Sequence, residues 1–124
     1  MILGVEHIAI FSPRPHELAE WYVQHLGFTV STSNPETVFL RAQNGVVFEV
    51  TTADCTAAPQ PMKAPGLRHI AIGVDDFDAV YRQLTAGGVH FEGEPFAAGA
   101  NRVVFFTDPE GNFLHLIHRP TPLP

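Results

Sequence analysis

Two histidines share one tetrapeptide: His7-Ile8-Ala9-Ile10 recurs unchanged as His69-Ile70-Ala71-Ile72, 62 positions on in a chain of 124 residues. Imidazole nitrogens at matching places in a duplicated chain suit a shared task, and coordination of a divalent metal ion is the simplest. Each half offers a second donor downstream. Aligning the turn glycines Gly45 and Gly111 gives an offset of 66, which carries Glu49 onto His115. The candidate ligand set is therefore His7, Glu49, His69 and His115. Three neutral imidazoles and one carboxylate suit Zn, Ni, Fe, Co or Mn, and the residue types do not choose among them.

These donors need strands to present them. Val5 to Phe11 alternates with period two, Ile8 and Ile10 on one face and Val5, His7, Ala9 and Phe11 on the other. Leu67 to Val74 repeats that pattern. In Val46 to Thr52, Glu49 shares a face with Val47 and Thr51; in Phe113 to His118, His115 shares one with Phe113 and Ile117. Further strands are expected at Phe28 to Ser31, Thr37 to Gln43, Val89 to Glu92 and Arg102 to Thr107. Pro95 to Asn101 reads as a loop.

Each half also carries one amphipathic helix. Leu18, Trp21, Tyr22 and Leu26 form one apolar stripe, with Gly27 just past its end. Phe77, Val80, Tyr81 and Leu84 form the other, entered through an aspartate cap at Asp75 or Asp76 and closed by Gly87-Gly88. The first stripe must cover the Ile8, Ile10, Phe48 and Val50 side. All four donors then project from the face away from the helices. Ala9, Ala71 and Gly73 leave room beside them, and Phe11, Val47, Phe113 and Ile117 can wall a ligand cavity. The fold class is α+β, two tandem βαβββ modules in a single domain of residues 1–124: module one about 1–52, a Pro/Ala/Thr-rich linker about 53–66, module two about 67–118.

Composition limits the partners. Seven Lys+Arg against thirteen Asp+Glu give a net charge of −6, which argues against nucleic acid or an anionic membrane. No apolar run approaches the roughly 20 residues that span a bilayer, and Glu6 and His7 interrupt any leader-like start. With Cys55 alone, no intrachain disulfide forms, and a cytoplasmic location is expected. The plainer alternative is that the four donors are isolated polar residues on a solvated sheet face. The repeated context and the matched fourth position weigh against it. His16, His25, His90 and His118 are not expected to bind metal. Arg41 and Arg102, on strands of unassigned facing, are candidates to hold an anionic substrate group.

The two His-Ile-Ala-Ile openings, Trp21-Tyr22, Leu26-Gly27-Phe28 and the closing run from Arg102 to Leu116 resemble the glyoxalase/bleomycin resistance/dioxygenase superfamily, the vicinal oxygen chelate proteins. The resemblance covers essentially the whole chain. It implies a curled mixed sheet with helices on its outer face, a homodimer, and a divalent ion held at His7, Glu49, His69 and His115 that binds the vicinal oxygens of a small-molecule substrate. One departure stands out: His115 occupies a position where the family usually has glutamate. A single carboxylate leaves a divalent site near +1, which favours anionic enediolate, catecholate or carboxylate groups. The resemblance implies a glyoxalase-type isomerase or lyase, with Glu49 as leading catalytic base and His115 as second candidate. The alternatives are an Fe(II)-dependent ring-cleaving dioxygenase and a non-catalytic small-molecule or antibiotic-binding protein.

Overall fold

The computed structural model describes all residues from Met1 to Pro124 and divides into two units, Met1–Ala58 and Pro59–Pro124. Unit one runs β1 (Ile8–Ser12), α1 (Pro15–Leu26), β2 (Thr29–Ser33), β3 (Thr37–Arg41) and β4 (Val47–Thr52). Unit two runs β5 (His69–Gly73), α2 (Phe77–Ala86), β6 (Phe96–Ala98), β7 (Asn101–Thr107) and β8 (Phe113–His118). Each is βαβββ, and each forms a four-stranded mixed sheet, ordered β1-β4-β3-β2 and β5-β8-β7-β6. The outer pairs β1·β4 and β5·β8 are parallel; the remaining pairs are antiparallel.

The apolar faces fall where the period-two pattern puts them. Val50 and Leu40 are fully buried, and Ile10, Phe48 and Val38 nearly so, beneath Leu18, Ala19 and Tyr22 of α1. Tyr22, Phe28 and Phe48 form a ring cluster with centroids 5.3–6.2 Å apart. In unit two, Leu114, Leu116, Val104 and Phe106 are fully buried, and Phe77 and Leu84 of α2 are buried with them. Pro15 opens α1, and Gly27 ends it in the left-handed region at φ 71°. The Asp76 side chain caps α2 by accepting from the Ala79 amide at 3.1 Å.

The two sheets share one register. Ile8 pairs with Phe48 and Ala9 with Glu49; Ile70 pairs with Leu114 and Ala71 with His115. The turns that set this register are built alike. The Ala42 amide donates to the Val46 carbonyl and the Gly45 amide to the Ala42 carbonyl, both at 2.9 Å. Asp108, Asn112 and Gly111 repeat those two bonds at 3.0 Å. Gly45 and Gly111 take φ of 94° and 84°, a region that strains any residue with a Cβ. The first hairpin is thus a five-residue turn, residues 42–46, between the paired Arg41 and Val47. The second turn adds a carboxylate clamp from its first residue. Asp108, buried, accepts from the amides of Glu110 and Asn112 and from the Asn112 carboxamide at 2.8–3.0 Å.

Three expectations need correction. Val89 to Glu92 is not a strand: Phe91 makes a single bridge to Phe106, and Gly93, at φ 97°, turns the chain away. The strand lies instead in the stretch read as a loop. Phe96–Ala98 pairs with Asn101–Val103 across a two-residue turn whose first position, Gly99, has φ 62°. The first strand also starts later than Val5, because β4 begins at Val47 and offers no partner further back.

Candidate metal-donor pairs

Each unit brings two of the four donors together. In unit one, Ala9 lies opposite Glu49, and its methyl group takes up little room beside that donor. His7 Nε2 is 3.9 Å from Glu49 Oε2, and both side chains are part-exposed. The other ring nitrogen, Nδ1, is 2.6 Å from Glu6 Oε1. A carboxylate only accepts, so Nδ1 carries a proton, and Nε2 is the ring nitrogen turned toward Glu49. Two donors at about 2.0–2.2 Å on a tetrahedral ion lie roughly 3.4 Å apart, so at 3.9 Å this pair stands slightly wider than a shared ion would hold it.

In unit two, Ala71 lies opposite His115, and the rings of His69 and His115 sit 4.6 Å apart. His115 is buried, while His69 is exposed. The His115 Nδ1–H donates to the Leu116 carbonyl at 3.2 Å, which leaves Nε2 as the free donor. Burial holds its pKa below the usual imidazole range. The Leu116 bond opposes this, and the nearby His69 and Arg119 reinforce it. A proton therefore competes weakly for the nitrogen that a metal would use. No three metal-binding side chains gather at one point; the donors come as one pair per unit.

The other candidates separate cleanly. Arg102 lies on the α2 side of its sheet, paired with Asp78 and with its guanidinium 4.5 Å over the Phe77 ring, so it is not available to a substrate on the donor face. Arg41 is on the donor face, donating to the Gly45 carbonyl at 3.1 Å. That carbonyl belongs to the rim of an open depression of about 500 Å³, lined by Val5, Glu6, His7, Ile8 and residues 44–47. His118 Nδ1 bonds the Val74 carbonyl at 3.1 Å, and His16 Nε2 bonds that of Asn34 at 2.8 Å. His25 packs on Trp21, and His90 meets Glu92 at 3.0 Å.

Two features escaped the sequence. Glu6 contacts His7, whereas its counterpart Arg68 precedes His69 with an Nε that is buried and unpartnered. Phe39 and Phe105 flank the histidines, and the 66-residue offset that related Glu49 to His115 relates them too.

Two tandem βαβββ modules, each with a pair of metal-type donors on the sheet face away from its helix, define the class of fold. The chain belongs to the Glyoxalase/Bleomycin resistance protein/Dioxygenase superfamily, whose family model matches residues 4–116. Members of this superfamily typically bind a divalent metal and a small-molecule substrate, and usually form dimers. Among solved structures, the glyoxalase family protein from Enterococcus faecalis is 26% identical, with 93% of this chain and 97% of that one covered and a TM-score of 0.78. Oxidase ChaP-H2 is similar at 23% identity, 97% and 96% coverage and a TM-score of 0.76. Lactoylglutathione lyase from Agrobacterium tumefaciens is similar at 16% identity, 94% coverage of each chain and a TM-score of 0.71. No curated protein matches the sequence. No helix is long and apolar enough to cross a membrane.

Proposed function

We propose that the chain is a divalent-metal-dependent enzyme of glyoxalase type, an isomerase or lyase that moves a proton next to a substrate carbonyl. The observation that carries this is the His7–Glu49 pair, two metal-type donors held 3.9 Å apart on the sheet face away from the helix. His69 and His115 provide the matching pair in unit two. The imidazole nitrogens of His7, His69 and His115 and a carboxylate oxygen of Glu49 are the groups that would hold metal. The bound ion supplies a Lewis acid that polarises a carbonyl. Glu49 is the only carboxylate of the set, and it would take the proton from the carbon next to that carbonyl. His115, held neutral by burial, is a base only when it is not a ligand. Ala9 and Ala71 give the substrate's vicinal oxygens room beside the donors.

Elemental analysis of purified wild type and His69→Ala tests the metal. Stoichiometric metal in the first and its loss in the second is the expected result; a metal-free wild type overturns the reading. For the reaction, Glu49→Gln is expected to lose turnover of thiol adducts of 2-oxoaldehydes, and an unchanged rate overturns the role of Glu49.

A second reading, an Fe(II)-dependent ring-cleaving dioxygenase, is favoured by the imidazole-rich donor set, which can supply two histidines and one carboxylate with positions left open. Oxygen uptake on catechol with added ferrous iron would support it, and none would remove it.

A further inference from the structure

In each unit one phenylalanine stands edge-on to the first-strand histidine. Phe39 meets His7 with centroids 6.1 Å apart and planes at 81°. Phe105 meets His69 at 5.6 Å and 84°. Both occupy the same rung of the sheet, Phe39 opposite Glu49 and Phe105 opposite His115. Along the donor-facing side of β3 and β7, the neighbouring positions do not repeat: Thr37 corresponds to Val103, and Arg41 to Thr107. Only the middle position keeps its residue type.

We infer that Phe39 and Phe105 are positioning residues, each fixing the plane of its histidine so that one chosen nitrogen faces the metal. The inference rests on the proposed metal function. The terminal torsion of histidine is soft, and rotating the ring exchanges Nδ1 for Nε2 at the donor position. An edge-to-face contact in this distance range resists that rotation. A benzene ring adds no donor atom of its own, so it orients the ligand without competing for the ion. The need is greatest in unit two. Glu6 bonds the His7 ring, but no hydrogen bond reaches either ring nitrogen of His69, whose ring contacts are with Phe105 and His115. Phe105 also touches His115, at 4.9 Å and 62°, so one side chain braces both imidazoles.

The test compares Phe39→Leu, Phe105→Leu and Phe105→Tyr with wild type. Leucine keeps an apolar side chain without the ring edge; tyrosine keeps the edge. The readouts are Co(II) affinity by chelator competition, the unfolding midpoint of the metal-free protein, and the imidazole C–H resonances of the metal-free protein. Phe105→Leu is expected to weaken Co(II) binding about tenfold or more, the usual scale for residues that orient a ligand. Phe39→Leu should weaken it less, and Phe105→Tyr should restore it. The His69 and His115 resonances should shift in Phe105→Leu beyond the loss of the ring's own field, with exchange broadening as the rings gain freedom. Wild-type affinity in Phe105→Leu, or affinity lost only in proportion to stability, overturns the inference. If wild type binds no Co(II), the metal function falls by itself. The resonances then decide: broadening in Phe105→Leu upholds ring positioning, and sharp lines overturn it.

Discussion

Glu49 and His115 occupy one structural position twice, each directly across a parallel strand pair from an alanine, Ala9 and Ala71. The surroundings differ. Glu49 keeps a quarter of its side-chain surface in solvent, while His115 is buried under aromatic rings. An ionised carboxylate needs water or a partner, whereas a neutral imidazole does not, so each residue suits its site.

The burial of His115 makes stability depend on pH. Its pKa is depressed in the fold, and the unfolded chain takes up the proton near pH 6.5. Below that pH the unfolded state binds more protons, so stability falls as pH drops from about 6.5 through the folded pKa and levels off beneath it. Unfolding midpoints measured from pH 8 to pH 5 should decline less steeply in His115→Gln than in wild type. Equal slopes would show that His115 is not the group responsible.

Glu6 accepts from the His7 Nδ1–H and so fixes which ring nitrogen faces Glu49. Glu6→Gln should therefore weaken metal binding, by up to about tenfold, while the unfolding midpoint stays within a degree or two. The carboxylate is largely exposed, which places the expected loss toward the lower end. Isothermal titration with Zn(II) at low and high salt checks it, and an unchanged affinity at both would remove Glu6 from the site.

How much of this was legible beforehand follows from which forces act locally. The repeated His-Ile-Ala-Ile and the turn glycines fixed strand faces and register, because side chains alternate strictly along a strand. The donor pairs followed from those. The strand Phe96–Ala98 was missed because its Ala-rich stretch has no alternating pattern and forms only by pairing with β7. The orientation of Arg102 was missed because it depends on Asp78 and Phe77, across the sheet and 24 residues away for the ion pair. Phe39 and Phe105 were within reach of the same offset that found His115, but apolar residues on a strand read as core.

The Asp108 clamp joins three hydrogen bonds in one buried carboxylate. Asp108→Ala should cost about 2–3 kcal/mol, since hydrogen bonds to a charged, buried group are among the stronger ones. Equilibrium urea unfolding measures this. The corresponding turn in unit one has Ala42 at that place, so Ala42→Asp offers the converse test, a smaller change of either sign.

Core truncation should be felt most under the helices. Leu116 is fully buried on β8, and Leu116→Ala should destabilise by about 2–5 kcal/mol. Ile8, an exposed edge residue, should tolerate alanine with a change under about 1 kcal/mol. A reversal of that order in urea midpoints would contradict the packing described.

The paired turns have one more consequence. Because backbone bonds at Ala42–Val46 and Asp108–Asn112 set the register, the hairpins do not depend on which donor stands at positions 49 and 115. The surroundings decide what each position tolerates: an imidazole fits either, whereas a carboxylate keeps its water at 49 and would be buried at 115. A change of donor charge therefore costs less stability in the first module than in the second.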